Sequence, residues 1–199
     1  MSAAVASLPT VIVLAAGRSE RFKQSVQQAG RVNEWGEHKL HAKLCGQSVF
    51  DHVMDAVRRS GLPFHVVLPE QTQHLPSQGM GDSIAVGVRA TAQSNGWLIL
   101  PADLPLIQPQ SLISVAQALK NHAVVVPFYQ DQKGHPVGFS ERCGQALMAL
   151  TGDQGASSVV AQHPVFRLAL QDQGCVLDVD TADAISQAEK LLRGSCATH

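Results

Sequence analysis

The chain has 199 residues, of which 45% are hydrophobic and 16% are charged, and its formal net charge is −1. This size and composition are typical of a globular domain and exclude a disordered or fibrous chain. Because the net charge is close to zero, no overall positive field would draw the chain to nucleic acid or to an anionic membrane. We therefore expect one domain over residues 1–199 that binds any anion at a local site.

Four short runs of apolar residues predict strands that are buried on both faces. The runs are continuous and do not alternate with polar residues, which is typical of parallel strands covered by helices. In chain order they are 11–16, 66–68, 98–100 and 124–126.

Segments with helical periodicity lie between and after these runs. The first is 48–59, where Ser48 and Asp51 form a capping box, and the second is 110–120. Another helix is expected to start near Asp82, and the last is 181–193 with Asp180 placed to cap it. Strands and helices alternate, so the predicted fold class is α/β with a mainly parallel sheet covered by helices.

One polar stretch, 23–37, shows no periodicity and is predicted to be a long insertion loop directly after the first strand. Loops of this length in a compact domain are often lids or binding loops, and a tolerated insertion is the alternative. Residues 194–199 are expected to form a flexible tail.

Compartment and metal content are indicated by the first ten residues and by the cysteines. Residues 1–10 carry no basic n-region, and the apolar run that follows is too short for a signal sequence or a membrane span. The scattered cysteines argue against a structural zinc site and favour a reducing compartment. They are Cys45, Cys143, Cys175 and Cys196. His38 and His41 alone are too few to predict a histidine metal site. We expect a cytoplasmic protein without a membrane partner.

The first strand is followed by residues suited to phosphate. In open parallel sheets, ligands bind at the carboxyl ends of the strands. Gly17 permits close backbone approach there, and Arg18 and Arg21 supply cations that match phosphate oxygens. Neither the Walker A pattern nor the G-x-G-x-x-G dinucleotide pattern is present. The turn alone therefore indicates a phosphate-binding loop only weakly, and an ordinary surface turn remains the alternative.

Carboxylates follow at two further places. Asp103 comes at the end of the third apolar run between two prolines, and Asp178 and Asp180 share one face of an extended segment. Together they predict a hard-oxygen Mg²⁺ site. Hydrogen bonding within a turn is the alternative for Asp103, and helix capping is the alternative for Asp180.

Six motifs in this order resemble the MobA-like nucleotidyltransferases, and among them the molybdenum cofactor cytidylyltransferases. They are LAAGRSERF at 14–22, GEHKL at 36–40, PADLP at 101–105, GHPVGF at 134–139, GDQGA at 152–156 and DVDT at 178–181. The resemblance runs from about residue 10 to residue 193. It implies a Rossmann-like fold and a Mg²⁺-dependent enzyme that transfers a nucleoside monophosphate from a nucleoside triphosphate to a phosphorylated acceptor, releasing pyrophosphate.

The resemblance also implies roles for individual residues. The implied catalytic residues are Arg21, Lys39 and Asp103, and the implied metal ligands are Asp103, Asp178 and Asp180. The implied nucleotide-binding residues are Leu14, Ala15, Ala16, Gly17, Arg18, Ser83, Pro101 and Ala102. The implied acceptor-binding residues are His135, Gly152, Asp153 and Gly155. Lys23 competes with Lys39 for the triphosphate, and Lys39 is preferred because GEHKL restores the expected local spacing.

The implied substrates and partners follow from the same resemblance. Ala16 and the Pro101-Ala102 pair favour CTP over GTP, and the molybdopterin cofactor is the expected acceptor, with transient contact to a molybdoenzyme or its chaperone. The acceptor's phosphate is mostly dianionic at neutral pH, so its attack requires no general base. The alternatives are guanylyl or uridylyl transfer to another acceptor such as a sugar phosphate, and a non-catalytic chaperone for a nucleotide cofactor.

Overall fold

The computed structural model describes residues 8–36 and 38–196. The strands in chain order are β1 (Thr10–Leu14), β2 (Lys43–Leu44), β3 (Gln47–Ser48), β4 (Phe64–Val67), β5 (Gly96–Pro101), β6 (Val124–Tyr129), β7 (Gln132–Lys133), β8 (Val137–Ser140) and β9 (Val165–Leu170). The helices are α1 (Glu20–Gln28), α2 (Val32–Trp35), α3 (Val49–Arg59), α4 (Pro69–Thr72), α5 (Met80–Ala90), α6 (Pro109–Ala118), α7 (Gly144–Met148), α8 (Ser157–Ala161) and α9 (Ala182–Cys196).

The main sheet has the strand order β4-β1-β5-β8-β6-β7, and β9 also pairs with β6. Strands β4, β1 and β5 are parallel, and β6 is parallel to β9. Strand β8 is antiparallel to both β5 and β6. The prediction of an α/β fold with a mainly parallel sheet is confirmed, whereas β8 and β9 were missed because neither is a continuous apolar run.

The sheet separates two layers of apolar side chains. In β1, Val11 and Val13 belong to one layer and Ile12 to the other, and all three are fully buried. The first layer is covered by α1, α3, α6 and α9, and the second by α5, α7 and α8. Because both faces are covered, the strand has no polar face, which explains the continuous apolar runs in the sequence.

The prediction that residues 23–37 form a loop is wrong. Most of this segment is helical, since it contains the end of α1 and all of α2, and Glu37 lies outside the described residues. Phe22 and Val26 of α1 and Trp35 of α2 are buried in the core, and the Arg31 guanidinium lies over the Trp35 ring at 4.0 Å. Seven of the nine residues of α1 are polar or charged. Its two apolar residues, Phe22 and Val26, lie four positions apart and therefore share the buried face of the helix.

The helix starts agree with the sequence at α3 and differ at α9. Ser48 caps α3, accepting a hydrogen bond from the Asp51 amide at 3.0 Å. At α9, however, Thr181 Oγ1 accepts from the Ala184 amide at 3.2 Å, so the proposed capping role of Asp180 is wrong. Helix α9 continues to Cys196, into the expected flexible tail, and residues 197–199 lie outside the described residues.

No helix in the described part of the chain is long and apolar enough to cross a bilayer. Cys143 and Cys175 are buried free thiols, and Cys45 is exposed. Burial, followed by the charge of Asp172, raises the pKa of Cys175 to about 11, so this thiol stays protonated at neutral pH.

Candidate active site

A cavity of about 370 Å³ opens at the carboxyl ends of β1 and β5. Lys39, Asp103 and Asp153 line it, together with most of the residues predicted to bind the nucleotide. The latter are Leu14, Ala16, Gly17, Arg18, Ser83, Pro101 and Ala102. Ala15 is the exception, because its side chain is buried in the core. A Cβ added at Gly17 would meet no protein atom within 4 Å, so this position faces open space.

One end of the cavity carries a cluster of opposite charges. The Lys39 ammonium contacts Asp103 at 2.5 Å and also contacts Asp180, and Arg21 contacts Asp180 at 3.1 Å. Burial by itself lowers the pKa of Lys39, but the charges and hydrogen bonds of Asp103 and Asp180 outweigh it and raise that pKa above its ordinary value. Lys39 is therefore fully charged at neutral pH.

Three carboxylates meet at this charged end. Within the described residues, the ligand oxygens of Asp103, Asp178 and Asp180 all lie within 4.8 Å of one another. The Val179 amide donates to the Asp103 carbonyl at 3.0 Å, and this bond joins the end of β5 to the 178–180 segment. Partial burial, then the charges of Asp103 and Asp180, raise the pKa of Asp178.

These carboxylates fit a divalent cation. Asp103 is 9% exposed, and its buried Oδ1 makes no hydrogen bond within the described structure. A buried carboxylate oxygen without a partner is costly, and a hard cation would satisfy it. The structure thus brings together the three carboxylates that the sequence predicted as metal ligands, and Lys39 neutralises part of their charge.

His135 lies near this cluster. Its amide donates to the Cys175 carbonyl at 2.8 Å, and its buried Nδ1 makes no hydrogen bond within the described structure. Burial lowers the pKa of His135, although Asp103, the Ile99 backbone and Asp178 act against this. The imidazole is therefore mainly neutral at neutral pH.

Lys39 and Lys23, the two candidates for binding the triphosphate, lie in different places in the structure. Lys39 lies in the cavity wall at the start of a single 3₁₀ turn, held by the buried Leu40 beside it. Lys23 lies in α1 and does not line the cavity. The geometry thus favours Lys39 for contact with a bound anion.

The opposite wall of the cavity is organised by Asp82, which the sequence marked only as near the start of a helix and not as a residue of the site; that helix, α5, starts at Met80. Its Oδ2 accepts from Ser77 Oγ at 2.5 Å, from the Gly79 amide at 2.9 Å and from the Gly152 amide at 3.1 Å. Asp82 thereby joins the start of α5 to the turn at 152–154. An acidic residue in the first turn of a helix was the available signal, but the contact with Gly152 spans seventy positions and leaves no local pattern.

This wall is also tightly packed. A Cβ at Gly79 would lie 2.2 Å from Gly152 backbone atoms and 2.6 Å from Asp153 Oδ1, so a side chain at Gly79 has no room. The Arg18 guanidinium donates to Gln78 Oε1 at 2.6 Å across the mouth of the cavity. Both contacts fix the residues that face a ligand.

The predicted acceptor-binding residues do not lie together. His135 is near Asp103 and Asp178, whereas Asp153 lines the cavity beside Gly79 and Ser83. Gly152 is bonded to Asp82, and Gly155 packs on Met80. The GDQGA segment therefore belongs to the same cavity wall as the predicted nucleotide-binding residues, because α5 packs directly on it.

Comparison with known proteins identifies this chain as a nucleotidyltransferase and gives its family. A model of the MobA-like NTP transferase domain matches residues 11–167, so the chain belongs to the MobA-like NTP transferase family. Among curated proteins, none has a sequence that matches this chain.

Solved structures share the fold. The nucleotidyl transferase Mth528 from Methanothermobacter has a TM-score of 0.75 at 17% identity, covering 94% of this chain and 99% of its own. Rv0371c from Mycobacterium tuberculosis has a TM-score of 0.71 at 24% identity, covering 92% of this chain and 99% of its own, and it has also been crystallised with manganese. Molybdopterin-guanine dinucleotide biosynthesis protein A from Archaeoglobus fulgidus has a TM-score of 0.65 at 14% identity, covering 93% and 99%.

Proposed function

We propose that this nucleotidyltransferase is Mg²⁺-dependent and transfers the cytidylyl group of CTP to the terminal phosphate of the molybdopterin cofactor, releasing pyrophosphate. The observation that carries the proposal is the charged end of the cavity. There, Lys39 and three carboxylates converge at the carboxyl ends of the strands, next to the Gly17 turn. Cations and a metal-binding set at one end of a nucleotide-sized cavity are what transfer between two phosphate groups requires.

In this proposal the carboxylates bind the metal ion and the positively charged side chains bind the phosphate groups. Asp103, Asp178 and Asp180 would hold Mg²⁺, which when bound supplies positive charge to the triphosphate. Arg18 and Lys39 would bind the phosphate oxygens and keep the triphosphate in one orientation. Arg21, whose side chain is largely exposed, would reach the departing pyrophosphate from its contact with Asp180.

No side chain is needed as a general base in this proposal. The attacking group is an acceptor phosphate whose second pKa is near 6, so it is already mostly deprotonated at neutral pH. His135, held neutral beside Asp103 and Asp178, would donate a hydrogen bond to this phosphate. The remaining requirement is neutralisation of two anions that repel each other, which Lys39 and the carboxylate-bound cation would supply.

The choice of CTP rests on three residues of the cavity wall at which the sequence resembles the cytidylyltransferases. Ala16, Pro101 and Ala102 line it at the end of β1 and β5. We propose that the reaction takes place in the cytoplasm. A molybdoenzyme or its chaperone would receive the product during a transient contact with this enzyme. Transfer of another nucleotide to a different phosphorylated acceptor, such as a sugar phosphate, is the alternative that the test separates.

The test is pyrophosphate release from each of the four nucleoside triphosphates, in Mg²⁺, with molybdopterin cofactor or with sugar phosphates as acceptor. The expected result is release that requires both CTP and the molybdopterin cofactor. Release with a sugar phosphate would replace the proposed acceptor, and release with GTP in preference to CTP would replace the proposed donor. Nucleotide binding without release under any condition would favour the chaperone alternative.

A further inference from the structure

The cavity wall formed by α5 and the 152–154 turn carries a carboxylate, Asp153, that the charged end does not use. Within the described part of the chain, its side chain has no hydrogen bond or ion pair, although it lines the cavity with Gly79 and Ser83. Asp103, the other carboxylate in this lining, is paired with Lys39. Asp153 is thus available to a ligand.

The position of Asp153 is fixed by its neighbours. The Gly152 amide donates to Asp82, which also accepts from the Gly79 amide, so one carboxylate joins the turn to the start of α5. The absence of a Cβ at Gly79 leaves the space that Asp153 Oδ1 occupies. Asp153 itself is exposed, and these contacts hold the backbone of its turn at the edge of the cavity that its side chain lines.

The chemistry of a carboxylate limits what it can contact on a nucleotide. An ionised carboxylate only accepts hydrogen bonds, and it repels phosphate groups. Its partner on a nucleoside triphosphate must therefore be a neutral N–H or O–H group. The exocyclic amine of cytosine is such a donor, whereas uracil carries a carbonyl oxygen at the same position.

Met80 indicates that the base, and not the ribose, lies at this wall. Its side chain is 50% exposed, lines the cavity and packs against Gly155, two residues beyond Asp153. A polarisable thioether provides an apolar surface for a flat ring. A base that rests on Met80 would bring its polar edge to Asp153.

We propose that Asp153 reads the base, accepting a hydrogen bond from an exocyclic amine and so selecting amino-bearing nucleotides over uridine nucleotides. This inference rests on the proposed function, because it takes the cavity to be the nucleotide site. It also moves Asp153 from the acceptor side, where the sequence placed it, to the nucleotide side.

The test is calorimetric binding of CTP, UTP and dCTP in Mg²⁺ without an acceptor. The wild-type protein is expected to bind CTP on the order of tenfold more tightly than UTP, as for a hydrogen bond to a charged group. Asp153→Ala should weaken CTP binding and leave UTP binding unchanged, which removes the preference. Asp153→Asn should tighten UTP binding, because an amide can donate to the uracil carbonyl oxygen. Glu141→Gln, which alters an exposed carboxylate outside the cavity, is the matched control and should leave the preference intact.

The possible failures are distinguishable. If the wild-type protein binds none of the nucleotides, the proposed function is wrong. If it binds them and Asp153→Ala leaves the CTP to UTP ratio unchanged, only the base-reading role is wrong. Equal weakening of CTP and UTP by Asp153→Ala, with weak binding of dCTP to the wild-type protein, would show that Asp153 contacts the ribose and would overturn the inference.

Discussion

The two ends of the cavity are built by different means. At the charged end, Lys39, Asp103 and Asp180 come from three distant segments and are held by ion pairs. At the other end, the single carboxylate of Asp82 binds two backbone amides and a hydroxyl. Ion-paired side chains suit contact with a charged substrate, whereas a carboxylate that binds backbone amides suits a wall of fixed shape. The charged end should therefore control turnover, and the amide-bonded end should control affinity and stability.

The largest expected effect is on turnover at the charged end. Replacing Asp103 with Asn removes a proposed metal ligand and one partner of Lys39, and should lower pyrophosphate release on the order of 100-fold or more. Circular dichroism should show an intact fold. Undiminished turnover would show that the three carboxylates are not the metal site.

A second test separates the two lysines. Lys39→Ala should reduce turnover strongly, while Lys23→Ala, in α1 outside the cavity lining, serves as its control and should have little effect. Because Lys39 neutralises Asp103 and Asp180, its removal should also increase affinity for Mn²⁺ on the order of tenfold. Electron paramagnetic resonance titration measures this affinity. Weaker Mn²⁺ binding by the Lys39→Ala variant would contradict the claim that Lys39 competes with the metal ion for the carboxylates.

At the amide-bonded end, Asp82→Ala should lower the free energy of unfolding by about 2 kcal/mol, because buried donors lose their acceptor. It should also weaken CTP binding, since the 152–154 turn is released from α5. Asp51→Ala is the matched control, because Asp51 occupies the same position in α3 that Asp82 occupies in α5. Its carboxylate accepts from the amide and the hydroxyl of Ser48, the residue that caps its own helix. It should cost less stability and leave CTP binding unchanged, as urea unfolding and calorimetry would show.

The smallest expected effect is a dependence of stability on acid. The Ser77 hydroxyl, followed by the Gly79 amide, holds the pKa of Asp82 below its ordinary value of 3.8. A carboxylate with a lowered pKa in the folded state stabilises the fold above its ordinary pKa, and this contribution is lost as the pH falls through the folded value. The stability difference between wild type and Asp82→Asn should therefore shrink below pH 3.8. Urea unfolding over a pH series would show this, and a difference that grows in acid would contradict it.

Much of the fold could be predicted because its signals are local. The continuous apolar runs gave β1, β4, β5 and β6, and the Ser48 capping box gave the start of α3. The 23–37 segment was misassigned because its helices bury only a few residues, such as Val26 and Trp35. Strands β8 and β9 were missed because a short antiparallel strand and an alternating edge strand lack a long apolar run.

The sequence alone determined the fold class and the residue types at the charged end, because buried strands must be apolar and strand ends must carry the polar groups that meet a ligand. Only the tertiary structure decided which of these residues meet. It paired Lys39 with Asp103 and Asp180, it removed Asp180 from helix capping, and it joined Asp82 to Gly152. The physical reason is that such contacts depend on the packing of segments far apart in the chain, and local spacing does not encode them.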